Sequence, residues 1–399
     1  MNYKPSKNVF LLGVVSFFND FSSEMIYSVL PGFFVSVLKS GAGALGIVDG
    51  FADGLANFVK IYSGRRSDKI KKQKIFIFIG YFFSVITRPF YNFATSVTDV
   101  IGLRLIDRTG KGLRDAPRDA IISLSTAKNQ VGRAFGFHRT VDSLGGICGP
   151  LTAYFIMKNN PEGFGTVFMW SFIIGVLSIF FIFFIKDVVA DVKEKNINFS
   201  LISSFSSDFK RYILALFFLS LGTIPVTVLL LKTQNLNLAI ASIPLFYLAY
   251  NLSYNGLSFW AGGLSDKFGP RRIITIGYFV LVVSYFLLFF ADKPVTLVLS
   301  FLVLGLFQAL TDGVQRAYAS ALSADEYRAT AMGIVNAVIG FGLLFAGVVG
   351  GYIWQYYGIG FAVALAGFFI LVGIFILIFN KNHHKSNISD IENQLQDVS

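Results

Sequence analysis

The sequence predicts an all-α membrane protein: twelve transmembrane helices in two similar, pseudo-symmetric six-helix halves. Three observations carry that prediction. Hydrophobic residues make up 54% of the 399-residue chain and charged residues only 14%, and its 45 Phe exceed what a soluble core of this size can bury without apolar patches. Apolar stretches of about 20 residues recur along the chain, each long enough to cross a hydrocarbon layer of about 30 Å. Finally, one short loop motif is written twice, each copy between two long apolar stretches. Gly64-Arg65-Arg66-Ser67-Asp68-Lys69 follows the second apolar stretch, and Gly262-Gly263-Leu264-Ser265-Asp266-Lys267 follows the eighth. Asp68 and Asp266 lie 198 residues apart, half the chain length, so two similar bundles stand in tandem.

The first span, roughly residues 8–36, follows Lys4 and Lys7. It is too long for a signal-peptide core and lacks a small-x-small cleavage site, so it reads as a retained helix. Further spans fall at roughly 42–63, 74–96, 98–122, 133–157 and 164–185, completing an N-terminal bundle over residues 1–185. Residues 186–210, with Lys186, Asp187, Asp191, Lys193, Glu194 and Lys195, form the longest polar connection. The C-terminal bundle, 211–380, holds spans at roughly 211–232, 238–261, 273–292, 295–319, 329–353 and 358–380. Residues 381–399 are polar and mixed in charge, the composition of a disordered tail.

The net charge of +11 raises the question of nucleic acid, but its placement answers it. With both termini in the cytoplasm, 21 of 34 Lys and Arg fall in cytoplasmic segments, and only Lys39, Lys158, Lys232 and Lys293 fall outside. That is the positive-inside pattern of a multi-pass protein, not a nucleic-acid footprint. Cys148 is the only cysteine, so an intrachain disulfide is excluded. His383 and His384 sit in the solvated tail, and no metal site, cofactor motif or nucleophile motif is present. Gly110-Lys111-Gly112 lacks the earlier Gly and following Ser or Thr of a phosphate-binding loop. The chain does not read as an enzyme.

The duplicated motif resembles the cytoplasmic Gly-x-x-x-Asp-[Arg/Lys]-x-Gly-x-[Arg/Lys]-[Arg/Lys] signature of the major facilitator superfamily. The second copy matches through Gly262, Asp266, Lys267, Gly269, Arg271 and Arg272. The first matches at Gly64, Asp68 and Lys69 but has Lys71 at the second Gly. The resemblance covers nearly the whole chain. It implies a secondary carrier with a cavity between its halves, working by alternating access, in which these two motifs gate the cytoplasmic side. A narrower likeness is to a bacterial inner-membrane subgroup that carries Ser22 to Tyr27, Asp107 to Ala120 and Arg133 to Arg139 as blocks. Some similar carriers handle carboxylate siderophores. Gly149-Pro150 resembles half of the signature of facilitator antiporters, but Thr140 stands at its upstream Gly, so export is not implied.

The fourth span is the richest in charge. Arg104, Asp107, Arg108, Lys111, Arg114, Asp115, Arg118 and Asp119 advance mostly by three or four residues and form one stripe. Each charge costs about 3 kcal/mol at mid-bilayer on an insertion scale, so the stripe must line a cavity or pair with neighbours. Asp107 with Arg108 or Lys111, and Asp115 with Arg118, are the pairs a purely structural ladder would use. Asn19, Asp20, Ser23, Glu24 and Tyr27 share one side of the first span; Asp49, Asp53, Asn57 and Lys60 recur at helical spacing on the second; the fifth carries His138, Arg139 and Asp142. In the C-terminal half only Asp312 and Arg316 are charges clearly within a span. The eighth span instead has Tyr247, Tyr250, Asn251, Tyr254, Asn255 and Ser258. A shift of 198 residues puts Asp49, Asp53 and Asn57 on Tyr247, Asn251 and Asn255, so the polar face is repeated with its charge removed.

These residues predict a proton-coupled carrier of a small organic anion, monomeric in the lipid bilayer. Arg108, Lys111 and Arg114, with Tyr247, Tyr250, Asn251, Tyr254, Asn255, Asp312 and Arg316, are the candidate substrate contacts. Asp20 and Glu24, one turn apart, are the candidate proton carriers, with His138 and Asp142 in reserve. A drug/proton antiporter of the same fold is the alternative. From another class, a non-transporting membrane receptor or assembly factor is disfavoured by the polar lining of both halves.

Overall fold

The computed structural model describes residues 5–70, 72–127, 130–188, 205–236, 238–323 and 328–379. Within the helices, nothing is said of the side chains of residues 57, 58, 61, 64, 65, 68, 69, 235, 328 and 329. The described residues are helical, with short connections. The N-terminal half comprises α1 (Lys7–Ser36), α2 (Ala42–Ile70), α3 (Gln73–Ile86), α4 (Val97–Leu124), α5 (Val131–Asn159) and α6 (Phe164–Ile182). The C-terminal half comprises α7 (Ser207–Leu221), a short α8 (Val226–Leu230), α9 (Ile243–Phe268), α10 (Pro270–Phe289), α11 (Pro294–Ala321), α12 (Arg328–Tyr357) and α13 (Ile359–Ile378). The polar linker predicted over 186–210 and the tail predicted from 381 fall largely or wholly outside the described residues.

Eight of the twelve spans are long and apolar enough to cross a membrane on composition alone. The other four are α2, α4, α5 and α9, each at least 26 residues long, or about 39 Å at 1.5 Å per residue. They are not short but polar, and they sit at the centre. In the N-terminal half α2 packs on α4 and α1 on α5; across the halves α2 packs on α12 and α5 on α9. Apolar spans such as α6, α10 and α13 form the periphery, exposing Phe180, Phe286 and Phe375.

The chain's own contacts distinguish the two ends of the bundle. Asn8 donates to the Lys186 carbonyl (2.9 Å) and to Ser125 Oγ (3.1 Å), and Asp187 accepts from the Lys74 backbone N–H at 2.7 Å. The start of α1, the end of α4, the start of α3 and the end of α6 therefore share one end, here the termini end. Both copies of the repeated motif lie there as well. They are not loops: α2 continues through Gly64–Lys69 to Ile70, and α9 continues through Gly262–Lys267 to Phe268. Neither hexapeptide contains a proline, and a helix can run on into water once it leaves the bilayer. Gly269 (φ +87°) and Pro270 supply the stop after the second copy.

Two predicted spans are broken. The third is α3 followed by a 3-10 turn over Arg88–Phe93, because Pro89 disfavours helical backbone at the preceding residue. The seventh ends at Leu221 and resumes as α8 after Gly222-Thr223-Ile224-Pro225. Within a bilayer the freed backbone groups must find partners. Tyr285 supplies them: its hydroxyl accepts from the Ile224 N–H and donates to the Gly222 carbonyl, both at 2.9 Å.

At the far end the halves close on each other. A Cβ on Gly46 of α2 would collide with the Gly347 carbonyl of α12, and one on Gly347 would collide with Gly46 in return. Only glycine at both positions permits that approach. Gln355 Oε1 accepts from the Gly43 N–H at 3.1 Å on the same seam.

Candidate functional site

Between the halves lies a polar vestibule of about 600 Å³ and, beyond it toward the far end, a deeper chamber of about 290 Å³. Glu24, Lys111 and Gln308 line both, so they stand at the junction. Arg139 and Arg316 at the vestibule are half exposed, 51% and 48%. The cavity is thus open at the termini end and closed at the far end. Six acids and six Lys or Arg line the vestibule, which makes it neutral in sum but strongly polarised.

The α4 stripe faces inward, as its charge requires, yet its members differ. Arg104 is buried, 2.6 Å from Asp49 Oδ1 on α2 and 3.7 Å from Asp107, with its guanidinium 3.9 Å from the Tyr27 ring centre. Arg108 is nearly buried; its Nε lies 3.5 Å from Asp53 and 3.6 Å from Asp107, and it too stacks on Tyr27. Arg114 donates to Ser84 Oγ at 2.6 Å and covers the Tyr81 ring. Arg118 pairs with Asp119 (3.0 Å) and Asp115 (3.5 Å), and Asp115 also meets Lys60 at 3.8 Å. Lys111 is exposed into the cavity and makes no hydrogen bond or ion pair with any described residue. Of the ladder predicted from sequence, Asp107–Arg108 and Asp115–Arg118 form; Asp107–Lys111 does not.

The carboxyls of α1 also separate. Glu24 accepts from Asn251 Nδ2 across the halves at 3.3 Å and is hydrogen-bonded to Tyr247. Asp20 makes a side-chain hydrogen bond with Asp142 of α5, and Asp142 lies 3.8 Å from Arg139. Asp20 and Glu24 both line the vestibule and interact electrostatically, and Asp20 adds a contact between helices. This happens because Gly145, packed against the α1 backbone beside Asp20, brings α5 close. His138 is buried, bonded to Ser16 Oγ at 2.9 Å, and lines the vestibule with that pair.

In the C-terminal half Arg316 pairs with Asp312 at 3.1 Å, and Asp312 accepts from the Tyr254 hydroxyl at 3.0 Å. Arg139 of α5 donates to the same hydroxyl, and Ser143 donates to Asn255 at 3.1 Å, so α5 and α9 are stitched across the halves. Tyr247 and Tyr250 line the deep chamber, while Asn251, Tyr254 and Asn255 line the vestibule. Of the motif residues, Gly64, Asp68 and Lys69 lie outside the described side chains. Gly262, Asp266, Lys267, Arg271 and Arg272 stand at the termini end, outside both cavities. Arg271 donates to the Ile378 carbonyl.

Sequence reading missed three elements of the site. Gln308 joins the two cavities from α11. The α7–α8 break carries Thr223 and Thr227 into the deep chamber, and Thr227 donates to Asp49. Arg88, buried among Asn19 (2.8 Å) and Ser22, ties the third span to α1. Gly222 and Pro225 interrupting an apolar span, and a lone Arg within another, are the signals that could have found two of these.

Comparison with known proteins agrees with this architecture. The sequence model of the Major Facilitator Superfamily matches residues 12–230 and 211–398. An MFS-type transporter of Methanocaldococcus jannaschii is 34% identical over 358 residues, covering 88% of this chain and 89% of its own. A protein of Mycobacterium tuberculosis is 23% identical over 357 residues, covering 87% and 86%. Among solved structures, a mutant of the nucleoside transporter NupG superposes with a TM-score of 0.80 at 14% identity, covering 94% of this chain and 100% of its own. The human organic anion transporter MFSD10 superposes at 0.65 and 14% identity, covering 93% and 98%. At such identities the structures attest the fold.

Proposed function

The chain belongs to the major facilitator superfamily, and from that premise we propose that it is a proton-coupled secondary carrier of a small organic anion, working by alternating access. The observation that carries the anion is Lys111. It is a cation at mid-span, exposed into the cavity at the junction of vestibule and chamber, and without a partner among the described residues. The neighbouring arginines are each committed to a carboxylate, a hydroxyl or a ring, so Lys111 is the charge available for an incoming carboxylate. Asn255, whose Oδ1 accepts from Ser143, supplies a further donor through its amide NH2 from the opposite half.

Proton coupling is assigned to Asp20 and Asp142. They touch across α1 and α5 on the vestibule wall, and Lys111 and Arg114 act electrostatically on Asp20. An anion arriving on Lys111 removes positive charge from the pair's surroundings and favours proton uptake; its departure favours release. Binding of anion and proton is thus linked through one lysine. With both termini in the cytoplasm of a bacterial inner-membrane protein, as the Lys and Arg distribution indicates, the conformation described above faces inward. The two motif segments, at the termini end, act in gating.

Reconstituted vesicles test the reading. Under an imposed pH gradient they should accumulate labelled carboxylates, and citrate-like anions should compete where lipophilic cations do not. Competition by cations alone would favour the drug/proton antiporter instead. Absence of any flux with a correctly folded protein would favour the receptor.

A further inference from the structure

Four tyrosines form one continuous series along the cavity wall. Tyr27 of α1 and Tyr247, Tyr250 and Tyr254 of α9 follow one another with ring centres 6.3, 5.8 and 6.0 Å apart and planes inclined by only 10°, 20° and 26°. Near-parallel rings in full overlap would sit at about 3.5–4 Å. At about 6 Å they are shingled, each covering only the margin of the next. They do not use up one another's faces. Three of the four line the deep chamber and the fourth lines the vestibule, so the series runs through the Lys111 junction.

Cations cap the series at both ends: Arg104 and Arg108 over Tyr27, and Arg139 5.4 Å from the Tyr254 ring centre. The middle is not capped. Nor is the hydroxyl of Tyr250 bonded to any described residue, whereas Tyr247 is held by Glu24 and Tyr254 by Asp312. A stripe serving only to glue helices would have its central hydroxyl satisfied by one of them. Phe307, Leu304 and Leu343 line the chamber together with Tyr250, so apolar surface stands beside the charged groups there, with Lys111 at its junction with the vestibule.

We infer that the substrate is a planar aromatic acid, its ring laid against Tyr250 in the chamber and its carboxylate on Lys111. The inference rests on the anion reading above and narrows it. An aromatic ring favours the shingled tyrosine faces through its quadrupole, which a saturated ring of similar bulk does not share. A chamber of about 290 Å³ holds one or two fused rings, given that a cavity of about 150 Å³ accepts benzene.

Calorimetric titration of the full-length protein in detergent with benzoate, cyclohexanecarboxylate and citrate tests it. Benzoate should bind about tenfold tighter than cyclohexanecarboxylate. Tyr250→Leu should bring that ratio near one, and Tyr250→Phe should keep it while weakening both. Equal affinity for the two ring acids in the unaltered protein would overturn the inference, whatever becomes of the variants, and leave the anion reading intact so long as binding still depends on Lys111. If none of the three acids binds, or if Lys111→Ala leaves their binding unchanged, the anion reading falls and the aromatic one with it.

Discussion

Arg104 and Asp49 lie 2.6 Å apart, both about 2% exposed, and Asp49 uses its second oxygen to accept from Thr227 of the opposite half. One buried ion pair inside the N-terminal half thereby becomes an anchor point for the C-terminal half. Arg104 reaches the other side a second way, through Tyr27, whose ring stacks on Tyr247. The far end is closed by these two bridges together with the Gly46–Gly347 seam.

Thr227→Val removes the bridge without unpairing Asp49, which keeps Arg104. A hydrogen bond to a charged group contributes about 1.5–3 kcal/mol. The far end should therefore open more often. A Thr223→Cys reporter in a Cys148→Ala background should react with an impermeant maleimide about ten times faster from that side. An unchanged rate would show that the bridge does not hold the closed state.

Gly46→Val acts on the same closure by steric exclusion. A side chain there meets the Gly347 carbonyl, so the far-end seam cannot form. The expected protein is folded, fixed with the far end open, still able to bind ligand from that side and unable to complete transport. Normal turnover would mean that the two helices can separate without loss.

Lys111→Ala should weaken anion binding by roughly 10- to 150-fold, the equivalent of about 1.5–3 kcal/mol. Arg108→Ala should instead lower the amount of folded protein in the membrane, because it removes the buried cation that Asp53 and Asp107 share. Quantitative binding and abundance measurements on both variants separate the roles. A reversed pattern would assign the substrate contact to Arg108.

Asp20→Asn and Asp142→Asn should each abolish uphill transport driven by a pH gradient while at least one keeps exchange at equal pH. Glu24→Gln should have a smaller effect on coupling, since Glu24 is held by Asn251 and Tyr247. Accumulation that survives in both aspartate variants and fails in Glu24→Gln would move the proton site to Glu24.

Asp68→Asn should slow turnover and leave equilibrium binding nearly intact, as expected of a gating residue remote from the ligand. A large loss of affinity with preserved turnover would contradict that placement.

Much of this protein was decided by sequence alone. Twelve spans, two halves and an inward-facing charged stripe on α4 follow from hydropathy, from a repeat at half length and from the cost of charge in lipid. Those constraints act locally, along one helix at a time. They place Lys111, Arg114, Asp20, Glu24, Tyr254, Asn255, Asp312 and Arg316 on the cavity wall, where the structure has them. What they leave undecided is how charges on one wall divide among partners on another. Arg104 finds Asp49 across 55 positions and Asp20 finds Asp142 across 122, at spacings set by how closely glycine faces let the helices approach. Periodicity fixes the direction of a side chain but not the depth at which a neighbouring helix is docked. That is why eight charges looked alike on the page. Only the packed bundle pairs the α4 arginines with internal partners while Lys111 makes no hydrogen bond or ion pair among the described residues.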